Sequence, residues 1–168
     1  MSARERPNRR RAALPIAVSL ILILACPACD DAGKGSSVDP GIGVHSNGVS
    51  IRIGELRSDT AGRLGQPSSA RNLGSIGVLL SYPDRHLSLL VSGEGDAAPV
   101  TAIYLATGFE GRTPGGSGIG SSHADVTAEF QAAAIDPFLG TWRYAAIGIA
   151  FDWDGNAAGS ITVSSPGI

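Results

Sequence analysis

The sequence predicts an α+β domain: one antiparallel sheet of four to six strands with short helices on a single face, built from two helix–hairpin repeats. Three observations lead there. First, residues recur at ordered spacings. Ile53-Gly54, Asp59 and Leu64 match Ile119-Gly120, Asp125 and Phe130 at 66; Tyr82, Leu87 and Leu89 match Tyr144, Ile149 and Phe151 at 62; Ile103 matches Ile161 at 58. Each shortening falls in a stretch that reads as a loop, as in a duplication with small deletions. Second, each copy carries a helix-like start after a glycine. Third, apolar residues then alternate with small or polar ones at the period of a strand.

The elements follow in chain order. Residues 1–25 read as an export leader, with Arg4, Arg6, Arg9, Arg10 and Arg11 ahead of an apolar run that is short for a bilayer span. Ile23-Leu24-Ala25-Cys26 looks like a bacterial lipobox, which implies cleavage before Cys26 and lipid on its thiol and amino group. Two alternatives stay open: a soluble secreted chain, and pairing of Cys26 with Cys29. Residues 26–43 are poor in apolar side chains and read as a flexible tether. A single domain is expected over 44–163, with repeats at about 49–105 and 119–163 and a frayed tail at 164–168.

Within the first repeat, 49–53 and 78–82 read as strands and 58–64 as a helix weakened by Gly62 and stopped by Gly65-Gln66-Pro67. Leu87, Leu89 and Val91 begin a hairpin that returns over 100–105. The Gly-rich stretch 111–118 reads as the link between repeats. In the second repeat Ser122-x-x-Asp125 resembles a capping box, and Val126, Phe130 and Ala133 or Ala134 continue at helical spacing. Ile147, Ile149, Phe151 and Trp153 then alternate with Gly148, Ala150 and Asp152, and Asp154-Gly155 turns the chain back into 160–163.

Charge narrows the partners. The chain holds 13 Lys and Arg against 15 Asp and Glu; five of the former and one of the latter precede Cys26, leaving the remainder near −6. Nucleic acid and anionic lipid surfaces both select basic patches, so neither is expected.

The residues that invite chemistry are few. His45, His86 and His123 lack metal-ligand spacing. Asp152-Trp153-Asp154-Gly155-Asn156 has the start of a calcium loop without its late Glu, and turn chemistry explains it. The glycines at 115, 116, 118 and 120 lack the Lys-Ser/Thr of a phosphate loop, and no G-x-S-x-G frame exists. No metal, cofactor or catalytic residue is therefore expected. Trp142, Arg143 and Tyr144 form the candidate binding cluster, the alternative being a strand whose two aromatics face inward.

Gly54, Asp59, Leu64-Gly65-Gln66-Pro67, a hairpin and an apolar return strand together resemble the SmpA/OmlA (BamE) type of outer-membrane lipoprotein. The tandem arrangement is similar to that of the β-lactamase-inhibitor-protein family. The second copy departs from the pattern, with Gln131-Ala132-Ala133 after its helix, and the first has Leu56 where a cap would sit. The resemblance implies a non-enzymatic cell-envelope lipoprotein, anchored in the outer membrane and facing the periplasm, that binds another protein as a scaffold; the alternative is a periplasmic inhibitor or small-ligand-binding module.

Overall fold

In the computed structural model, residues 35–131, 133–135 and 140–167 are described. The leader, Cys26, Cys29 and the first part of the tether lie outside them. Alternation of buried and less buried side chains builds two runs of strands. The first comprises β4 (Ser69–Asn72), β5 (Val78–Tyr82), β6 (Leu87–Val91) and β7 (Val100–Leu105). The second comprises β8 (Ala134–Ile135), β9 (Trp142–Tyr144), β10 (Ile149–Asp154) and β11 (Ala157–Ser164). Each run is an antiparallel meander preceded by a short helix, α1 (Arg57–Leu64) or α2 (His123–Glu129).

The meanders join through β7 and β11, giving one sheet in the order β4-β5-β6-β7-β11-β10-β9-β8. The expected sheet of four to six strands is therefore too small. Joining consumes an edge of each meander, and a sheet with one apolar face gains stability by being widened rather than left as separate hairpins. A second, three-stranded sheet consists of β1 (Ser37–Asp39), β2 (Gly43–Ser46) and β3 (Val49–Arg52). The tether expected through 43 thus gives way to structure by Ser37, because Val38 is buried completely in the core. The tail is also placed: Ser164 ends β11, and the Gly167 amide donates to the Ala145 carbonyl at 2.7 Å.

One face of the large sheet carries the core. Leu80, Leu89, Ile103, Leu105, Ile149, Phe151, Ile161 and Val163 are buried in a single cluster, joined by Val38, Val44 and Ile51 of the small sheet and Val126 of α2. Burying each such Leu, Ile, Val or Phe contributes about 1.5–3 kcal/mol. Thr60 is the buried residue of α1 and Val126 that of α2. Helix α2 stops at Phe130, short of the expected Ala133 or Ala134, and Ala134 begins β8 instead.

The two halves share local geometry. Gly54 and Gly120 both have positive φ, and their amides donate to Val100 and Ala158 carbonyls at 2.7 and 2.8 Å. Tyr82 and Tyr144 each lead into a 3-10 turn closed by a left-handed residue, His86 or Gly148, and then into the next strand. A bulge lies between Leu90 and Val91 in one half and between Asp152 and Trp153 in the other. At the seam, Ile103, Tyr104 and Leu105 pair with Val163, Thr162 and Ile161, a register that reads the same from either strand. Among the described residues no helix is long and apolar enough to cross a membrane.

Candidate functional site

The face of the large sheet away from the core holds a groove of about 390 Å³, within the size range of ligand sites. Strand register decides what lines it. Ser88 pairs with Tyr104, Tyr104 with Thr162, Thr162 with Ala150, and Ala150 with Arg143, so these residues form one cross-strand row. Inward placement of Ile103 and Leu105 sends Tyr104 outward, where it is 38 % exposed. Inward placement of Trp142 and Tyr144 does the same for the exposed Arg143. Between these two long side chains the floor is only Thr162 and Ala150. Leu90 and Ala102 extend the groove beside Tyr104.

The next row holds the groove's carboxylate. Asp152 pairs across with Ser160, whose hydroxyl donates to it at 2.8 Å, and the Thr141 hydroxyl donates to its other oxygen. What resembled a calcium loop is therefore strand and turn, with Asp152 satisfied by two hydroxyls and Gly155 supplying a positive φ at the tip.

The cluster Trp142, Arg143 and Tyr144 does not act as one surface, because alternation along β9 divides it. Tyr144 is buried against Phe130 and Phe151. Trp142 is half-buried, stacked on the His123 ring at 4.6 Å between centroids and edge-on to Trp153 at 5.0 Å. Only Arg143 reaches the groove. Burial pushes the phenols of Tyr82 and Tyr144 above the ordinary tyrosine range.

The histidines are dispersed. His45 meets the Ser50 hydroxyl at 3.1 Å, His86 is exposed at the end of a turn, and His123 is held by the two tryptophans. Among the described residues neither the His86 ring nor the His123 ring is hydrogen-bonded to a carboxylate or hydroxyl, the Thr127 hydroxyl donating to the His123 backbone carbonyl at 2.7 Å. Among the described residues no three His, Cys, Asp or Glu side chains come together as metal ligands. A second, polar cleft of about 230 Å³ lies beside His86, Asp84, Asn47 and Glu110.

The glycine-rich link does cradle an anion, and the anion is the chain's own. The Glu129 carboxylate accepts hydrogen bonds from the Thr113 hydroxyl at 2.7 Å and from the Gly115 and Ser117 amides at 2.9 Å each. A Cβ at Gly115 would collide with the Glu129 side chain. Burial opposes ionisation of Glu129, but the hydrogen bonds from Ser117, Thr113 and Gly115 outweigh it and hold the carboxyl below the usual range. At the start of the same helix Ser122 and Asp125 form the expected capping box, and hydrogen bonds from Ser122 lower the Asp125 carboxyl too.

Tyr104 is the site residue that pattern reading passed over. Its signal was present as a lone aromatic at the outward position of a strand. Compared with family models, curated proteins and solved structures, the chain matches none.

Proposed function

We propose that this chain is a non-catalytic binding module of the bacterial cell envelope, anchored by lipid on Cys26, that engages another protein through the uncovered face of its large sheet. The single observation that carries the binding reading is the groove of about 390 Å³ with Tyr104 exposed on one side and Arg143 on the other. Exposed aromatic residues and arginine are the side chains enriched where proteins meet. The export leader and lipobox-like sequence support the anchoring, and an outer-membrane site facing the periplasm follows from the same resemblance. An acidic overall balance argues against nucleic acid as the partner.

We read the large sheet as a tandem duplication of one helix-and-meander unit. The matching spacings in the sequence support this, as do the paired glycines, turns, bulges and the self-equivalent seam. The likeness to SmpA/OmlA-type lipoproteins and to the inhibitor family is part of the same proposal. The alternative, a periplasmic inhibitor or small-ligand module, draws support from the same exposed Tyr104 and from the groove's size.

Capture from detergent-solubilised envelopes tests the binding reading. Wild-type protein is expected to retain a protein that Tyr104→Ala and Arg143→Ala lose; identical recoveries from all three would sink it. Mass spectrometry of the exported chain tests anchoring separately, with an acylated Cys26 expected and an unmodified one decisive against it.

A further inference from the structure

We propose that Asn47 is a site of spontaneous deamidation, and that its isoaspartyl product releases β2 and β3 from the core. Asn47-Gly48 forms the two-residue turn between these strands, with Ser46 paired to Val49 across its base. Both residues take the left-handed conformation, with φ of 47° and 83°, as a tight hairpin of that kind requires. Both are exposed, and among the described residues the Gly48 amide donates to no carbonyl. Asparagine is chemically labile, and a following glycine puts no side chain in the way of that nitrogen. No other asparagine of the chain precedes glycine: Asn8 is followed by Arg9, Asn72 by Leu73 and Asn156 by Ala157. Asn72 is also held at both ends of its side-chain amide, by the Gly74 amide and by Glu94.

The chemistry needs only water. The Gly48 nitrogen attacks Asn47 Cγ and forms an N–C bond; the Cγ–Nδ2 bond breaks, and ammonia leaves with the proton that Gly48 gives up. Water then opens the five-membered imide at either carbonyl, leaving aspartate or isoaspartate at 47. Ring closure has to swing the Asn47 peptide out of the left-handed turn, so the reaction proceeds from the opened hairpin and the fold is its brake. Isoaspartate routes the main chain through the former side chain, one methylene longer. The two-residue turn that holds Ser46 opposite Val49 then cannot re-form. The new carboxylate joins Asp84 and Glu110 in the polar cleft beside the turn, against the single guanidinium of Arg85. Val44 and Ile51, paired across β2 and β3 and both buried, are what these strands give to the core. The large sheet keeps its own ladders, none of which passes through β2 or β3.

The test incubates the purified full chain at mildly alkaline pH beside a short peptide spanning Val44 to Ile51. Peptide mapping by mass spectrometry should find ammonia lost and water gained at Asn47, with Asn72 and Asn156 unchanged. An isoaspartate-specific methyltransferase should label the product. The folded chain should react at least about tenfold more slowly than the peptide, the ratio reading how seldom the hairpin opens. Hydrogen exchange on the isoaspartyl fraction should show protection lost over β2 and β3 and kept over β5, β6, β10 and β11. Fresh Asn47→Asp, which adds the charge and keeps an Asp-Gly turn, should retain that protection, and Asn47→Gly should not change with time. An Asn47 that reacts no faster than Asn72 or Asn156 overturns the site, and a folded chain as fast as the peptide overturns the brake. Unchanged exchange in the isoaspartyl form, or equal loss in fresh Asn47→Asp, overturns release through the lengthened main chain.

Discussion

The two halves of the large sheet agree on the core face and differ on the groove face. Inward, Tyr82 stands opposite Tyr144 in the comparison, Leu87 opposite Ile149, Leu89 opposite Phe151, and Ile103 opposite Ile161, all buried. Outward, Ser81 is replaced by Arg143, Leu90 by Asp152, and Tyr104 by Thr162. Packing explains the first set: a filled interior tolerates a swap of one apolar residue for another of similar bulk and little else. Nothing in packing explains the second. On the proposed binding reading, this contrast between a similar core face and a dissimilar groove face means that an occupant would meet the groove in one orientation.

The largest test of that comparison is in the core. Leu89→Ala and Phe151→Ala should each destabilise by about 3–5 kcal/mol and shift one and the same denaturant transition, since both residues lie in one cluster. Two separable transitions would mean that the halves are independent units. Next comes the end of each helix. Glu129→Gln should cost about 1–3 kcal/mol, because three hydrogen-bond donors lose their anionic acceptor. The corresponding Arg63, half exposed and paired with the largely covered Glu55 carboxylate, should cost about 1 kcal/mol on change to Met. The sign with pH is fixed: the folded Glu129 carboxyl lies low, so its contribution is complete above about pH 4.3 and fades as pH falls through the folded value. Equal stability of wild type and Glu129→Gln at neutral pH would contradict this.

Smaller effects separate the helix starts. Ser122→Ala should cost about 1 kcal/mol in thermal or chemical melts, whereas the uncapped Leu56 gains about 0.5 kcal/mol on change to Ser. Smallest of all, Tyr104→Ala and Arg143→Ala should move stability by no more than about 0.5 kcal/mol, their exposure leaving little to lose. A larger loss would make those residues structural and weaken the contrast between the faces.

Sequence reading reached the core face because alternation and burial are local. The hairpins at Leu87–Val91 and Ile149–Asp154, the helices and the capping box at Ser122 were all legible for that reason. Of the small sheet, β3 was, expected at 49–53 and found at Val49–Arg52. Strand β1 lies where composition signals a tether, and the isolated Val38 earns its place only by meeting a distant core. Strands β4 and β8 are edge strands, the first without a large apolar side chain and the second only two residues long, so they leave no pattern to detect. The groove was half legible. Arg143 stood out beside two aromatics, but its company with Tyr104 depends on the pairing of β7 with β11, which joins residues that no short window contains.

That seam carries a further liability. Strands β7 and β11 pair through equivalent residues, so each presents a backbone edge suited to the other, within one molecule or between two. Domain exchange at high concentration would need the link over 111–118 to open and let one meander leave its neighbour. The carboxylate of Glu129 ties that link to α2 through Thr113, Gly115 and Ser117. A half-covered anchor that looks like a detail of helix packing would thus hold the hinge closed against such exchange.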